Sequence, residues 1–142
     1  MIAAKKMIFT ILFFKTLIVF GQNNNRKPCQ IQLDTLTKLS VYLEPDEMAS
    51  FPGGLMQLSK EIHNRMIYPS VLRTKFPDGF KVVVAFVVQQ DGAIIGERAI
   101  ISIEGTDVAE RLLDVLNDFH WEPAKCNGKA VSTIVLFPLN VP

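Results

Sequence analysis

The chain has 142 residues, a formal net charge of +1, two cysteines and two histidines. That length fits one domain. The near-neutral charge argues against the basic face that a nucleic-acid partner selects, and so few cysteines and histidines without paired spacing argue against a zinc site.

Lys5 and Lys6 precede an apolar run, Met7 to Phe14 and Leu17 to Phe20, which ends at Gly21 before the polar Gln22-Asn23-Asn24-Asn25. This order reads as a secretory signal peptide over residues 1–21, cleaved before Gln22. The competing reading is an uncleaved membrane anchor. A spanning helix needs about 20 apolar residues, and Lys15 inside the run weighs against it. Loss of Lys5, Lys6 and Lys15 leaves 12 basic against 14 acidic residues and moves the charge to −2. No cysteine directly follows the run, so a lipid-modified N-terminus is not expected.

Export places the chain where disulfides persist. Cys29 stands before the globular region and Cys126 in the turn ahead of the last strand, so a Cys29–Cys126 disulfide is the leading expectation. Two free thiols, or a link to another molecule, are the alternatives.

Residues 22–35 read as a polar tail or linker and residues 36–142 as the folded domain. Leu36 to Glu44 alternates as a half-buried edge strand, and Pro45 ends it. Pro52-Gly53-Gly54 leads into a helix on which Leu55, Leu58, Ile62 and Met66 form the apolar stripe, and Ile67-Tyr68-Pro69 stops it. Phe80 to Gln89 is the strongest strand, because Val82 to Val88 has no breaker and concentrates β-branched residues. Asp91-Gly92 signals a type I′ hairpin into a return strand over Ala93 to Ile103. Thr106 is placed to cap a second helix, with the stripe Val108, Ala109, Leu112, Leu113 and Leu116, ending near Phe119 or His120. Asn127-Gly128 then makes a turn, and Ala130 to Leu139 forms a last strand.

These elements predict an α+β fold with two helices packed on one face of a three- to four-stranded, mostly antiparallel sheet. Val82, Val84, Phe86 and Val88 cannot share a face with Val83, Ala85 and Val87. Either the N-terminal segment or a partner should therefore cover the second face.

Tyr68-Pro69, Gly79, Asp91-Gly92, Trp121-Glu122-Pro123-Ala124 and Gly128-Lys129-Ala130-Val131, with Phe51-Pro52-Gly53-Gly54 after Val41-Tyr42, together resemble the C-terminal domain of the TonB family. The resemblance covers roughly the last 90 residues. It implies a periplasmic module that pairs a sheet edge with the N-terminal peptide of an outer-membrane transporter, or with another envelope protein, by β-strand addition. By position it assigns the edge to Val131, Ser132, Thr133, Ile134 and Val135, with Tyr68 and Pro69 shaping the groove. It also makes Trp121 a core or hinge residue.

A TonB-like energy transducer also needs a permanent membrane helix and a long proline-rich spacer, and Gln22 to Phe51 holds no such spacer. A dimeric accessory subunit of an envelope complex and a short membrane-anchored transducer remain the alternative readings. No phosphate loop, nucleophile elbow or partnered histidine is legible, since His63 and His120 have no carboxylate or hydroxyl at a useful spacing. The expectation is a non-enzymatic protein with no cofactor, no catalytic residue, no metal, no nucleic acid and no small-molecule substrate.

Overall fold

The computed structural model describes residues 29–142. The expected signal peptide and the first part of the polar tail lie outside the described residues. The described residues form an α+β fold, with three helices, a mixed sheet of five strands and a small two-stranded sheet.

The described residues open with β1 (Ile31–Leu33), a turn and β2 (Ser40–Tyr42), which pair antiparallel. A single strand over Leu36 to Glu44 is therefore corrected to a short hairpin, and β1 falls in the stretch assigned to the tail. The turn forms because the Asp34 carboxylate accepts from both the backbone N–H and the hydroxyl of Thr37, at 3.0 and 2.7 Å, and so competes with extension of either strand.

Helix α1 (Gly54–Arg65) begins where expected, after Gly53 at φ 85°. Leu58, Ile62 and Met66 are buried as their spacing predicts, but Leu55 is 79% exposed. A third helix, α2 (Ser70–Lys75), follows Pro69 directly and buries Leu72. It escapes sequence reading because a helix of this length has no periodicity to detect.

Strands β3 (Phe80–Val88) and β4 (Ile94–Ile101) form the expected hairpin. Its turn differs from the type I′ expectation. Asp91 is not among the residues with positive φ, the Gly92 N–H donates to the Gln89 carbonyl at 2.9 Å, and Gly92 alone is left-handed at φ 85°. The connection is a three-residue loop closed by a bulge glycine. A Cβ at Gly92 would collide with the Trp121 carbonyl, so the close approach demands glycine as much as the φ does.

Helix α3 (Val108–Asn117) buries Val108, Ala109, Leu112, Val115 and Leu116. Its N-cap residue is Asp107 rather than Thr106, whose hydroxyl instead donates back to the Ile103 carbonyl at 2.8 Å. The expected last strand divides in two. Strand β5 (Ala124–Cys126) pairs with β6 (Lys129–Val131), and β7 (Thr133–Val141) continues beyond Ser132 into the large sheet. Asn127 and Gly128, at φ 52° and 76°, form the two-residue turn joining β5 and β6.

The large sheet runs β1-β2-β7-β3-β4. One face carries Val82, Val84, Phe86 and Val88 into a single core with Leu58, Ile62, Leu72, Leu112, Leu116 and Trp121 from the helical layer. Phe86 and Trp121 meet at 5.1 Å between ring centroids, and Phe51 meets Trp121 edge-on at 5.5 Å. The Trp121 indole donates to the Leu116 carbonyl at 3.1 Å, which satisfies its one polar atom within this core.

On the second face, Ala85 and Val87 are buried. The N-terminal segment covers them, with Asp34 paired to Arg98 of β4 and Thr37 packed over Gly96. Coverage stops partway, and Leu136 (62%) and Ile101 (47%) stay exposed. A disulfide joins Cys29 to Cys126 with Cα atoms 6.4 Å apart and fastens the start of this segment to β5.

Candidate functional site

The residues assigned to the binding edge do not share one environment. Val131 is buried in β6 against Ala124 and Cys126. The Ser132 carbonyl accepts from the Tyr42 N–H at 2.8 Å, and the Thr133 hydroxyl donates to the Tyr42 carbonyl at 2.6 Å. Thr133 is fully buried, so β2 closes this end of the strand. Tyr68 is half-buried with its ring 5.7 Å from that of Phe80, and its partial burial raises the phenol above its ordinary pKa. Pro69 is the N-cap of α2 and exposed.

Strand β2 touches β7 only at Tyr42 and Thr133, in parallel, whereas β3 pairs with β7 in unbroken register from Val88↔Thr133 to Phe80↔Val141. Because the Tyr42 N–H meets the Ser132 carbonyl, the backbone polar groups of Ser132, Ile134, Leu136 and Asn140 face away from β3. Beyond Ile134 no described strand meets them. The open edge therefore runs over Val135 to Val141, displaced toward the C-terminus from the expected Val131 to Val135.

Pro138 stands inside that open stretch, opposite Val83 of β3. It belongs to the outward-facing set, where a missing N–H costs the sheet no ladder bond. Proline at this position both marks the edge as unpaired and blunts it against indefinite sheet extension.

A trough follows the open edge between β7 and α1. Its upper cavity, about 570 Å³, is lined by Met48, Phe51, Leu55, Leu58, Trp121 and Val135 through Pro138, among others. A smaller one of about 230 Å³ shares Leu55, Leu58, Phe137 and Pro138 with it. The lower cavity, about 580 Å³, shares Ser59, Ile62, Leu139 and Asn140 with the small one and reaches Tyr68, His63 and Arg73. Exposed Leu55 and Met48 thus lie beside a row of free backbone donors and acceptors. Their helical and loop spacing alone does not distinguish them from core residues, which is why sequence reasoning missed them.

Cys29, Asp46 and Cys126 bring three ligand-type atoms within 4.8 Å of one another. The two sulfurs are joined to each other, which leaves no thiolate to hold a metal. Asp46 is engaged differently, accepting from the Asn127 backbone N–H at 2.7 Å. His63 and His120 are both exposed, on α1 and beside Gly92. Among the described residues no helix is long and apolar enough to cross a membrane. No protein-family model matches the chain, and no curated protein matches it.

Proposed function

We propose that the chain is an exported, periplasmic protein-binding module of the TonB C-terminal type, which holds an extended segment of an envelope protein by β-strand addition. The observation that carries this reading is the open edge of β7 from Val135 to Val141 lying along an apolar trough. Main-chain bonds to Leu136 and Asn140 supply affinity, and the trough accepts alternate side chains. The N-terminal peptide of an outer-membrane transporter is the partner this mode implies, and no catalytic chemistry is required.

The reading is tested by titrating synthetic N-terminal segments of outer-membrane transporters into the protein and into a Leu136→Pro variant. Binding that the variant loses while still folded supports strand addition. Equal binding by both proteins contradicts it.

A second reading has its own support. The partly covered second face, with Leu136 and Ile101 exposed beside Val83, suits a dimeric accessory subunit of an envelope complex. A concentration-independent dimer that ignores every peptide would favour it.

A further inference from the structure

The Cys29–Cys126 bridge has a carboxylate beside it, and backbone hydrogen bonds position all three groups without help from the bond between the sulfurs. We propose that, independently of how the β7 edge is used, the reduced protein binds a zinc ion through the thiolates of Cys29 and Cys126 and the carboxylate of Asp46. The metal then takes over the fastening role of the disulfide.

The ligand atoms of Cys29, Asp46 and Cys126 lie within 4.8 Å of one another. Zinc holds thiolate sulfur at about 2.3 Å and carboxylate oxygen at about 2.0–2.2 Å, so atoms this close reach one ion by small side-chain rotations. The cysteine Cα atoms are 6.4 Å apart, which leaves room for the sulfurs to separate onto a shared metal once their bond is broken. Thiolates with one carboxylate suit a borderline-soft ion and disfavour magnesium and calcium, which take oxygen ligands.

Each ligand is held from its own backbone. Cys126 pairs with Lys129 across the β5–β6 hairpin. Asp46 precedes Glu47, whose N–H donates to the Lys125 carbonyl at 3.1 Å and whose carbonyl accepts from the Lys125 N–H at 2.9 Å, so Asp46 and Cys126 flank one antiparallel bridge. Cys29 precedes Gln30, whose carbonyl accepts from the Leu43 N–H at 2.9 Å. The Asp46 carboxylate also accepts from the Asn127 N–H at 2.7 Å, an outer contact of the kind that orients a metal-ligating carboxylate. Cys126 is buried, Cys29 half-buried and Asp46 exposed. The cluster therefore opens to solvent on its carboxylate side, which gives the ion an entry path and leaves the fourth position to water.

The exchange balances in electrons and protons. A dithiol reductant passes two electrons and two protons to the bridge, becomes a disulfide itself and leaves Cys29 and Cys126 as thiols. Zinc binding releases the thiol protons to solvent. Reduction alone frees the start of the N-terminal segment from β5, and zinc fastens it again.

The test adds zinc chloride, or cobalt chloride as a spectroscopic probe, to the oxidised protein and to the protein reduced and then freed of reductant under argon. The reduced protein is expected to bind one ion per chain, to show thiolate-to-cobalt charge-transfer absorption, and to regain with zinc the amide protection of residues 29–43 that reduction removes. The oxidised protein should do none of these. Asp46→Ala should weaken binding at least about tenfold, whereas Glu47→Gln, which removes the neighbouring exposed carboxylate, should leave it unchanged. Absence of the charge-transfer band in the reduced protein, an equal response from the oxidised protein, or undiminished affinity in Asp46→Ala would each overturn the proposal, and none of these outcomes bears on strand addition.

Discussion

The Asp34 carboxylate meets the Arg98 guanidinium at 2.9 Å across 64 positions of sequence. The Asp34 side chain is only 5% exposed, so this pair, with the two bonds from Thr37, pins the N-terminal segment over the second face of the sheet. The same segment carries β2 to the top of β7, where Tyr42 closes the edge at Thr133 and leaves the remainder open. Covering the second face and delimiting the binding edge are one structural device.

The Asp34 pairing makes a prediction about acid. Bonds from the Thr37 hydroxyl and backbone, then the charge of Arg98, hold its carboxyl below the ordinary aspartate value despite opposing desolvation. A depressed folded value means that the stabilisation is complete above about pH 4, where the unfolded carboxyl is ionised, and is lost as pH falls through the lower folded value. Urea midpoints measured from neutral to strongly acid pH should separate the protein from Asp34→Asn above pH 4 and converge below it. Asp34→Ala should cost about 2 kcal/mol at neutral pH.

Reduction of Cys29–Cys126, whose partners are 97 positions apart, should lower stability by up to about 4.7 kcal/mol on the chain-entropy account. The first amides to lose exchange protection should be those of residues 29–43, because the bridge fastens their start to β5. Alkylation of both thiols in unreduced, unfolded protein would show that the bridge does not form.

Two prolines on one strand should have unequal effects. Leu136→Pro removes an outward N–H, as natural Pro138 already does, and should lower the unfolding free energy by less than about 1 kcal/mol. Phe137→Pro breaks a bond to Val84 of β3 and removes a ring that packs on the core, so it should cost about 3 kcal/mol or more. Chemical denaturation of the two variants distinguishes them.

Gly92→Ala forces a side chain into φ 85° and against the Trp121 carbonyl, and the Trp121 N–H donates to the Gly92 carbonyl at 3.0 Å. A loss of about 2 kcal/mol is expected. Trp121 is the only tryptophan, so its emission reports the disturbance directly.

The sequence exposes some of this architecture and conceals the rest for physical reasons. Val82 to Val88 declares a strand by composition, and Leu58, Ile62 and Met66 declare the buried face of α1 by period. Leu55 shares that period yet stays outside, because the trough beside β7 gives it no partner. The displacement of the binding edge could not be read from residues 131–135, since it depends on where Tyr42, 91 positions away, reaches β7. Pro138 was the available signal: a proline in the middle of a strand otherwise rich in apolar residues requires an unpaired side.

The most direct test of strand addition is amide hydrogen exchange on the protein with and without a synthetic N-terminal segment of an outer-membrane transporter as probe. The account predicts new protection at Leu136 and Asn140, whose N–H groups face outward, with little change at Val135 and Phe137, which already bond to β3. Saturating probe that leaves Leu136 and Asn140 exchanging freely, and protects amides elsewhere, would contradict it.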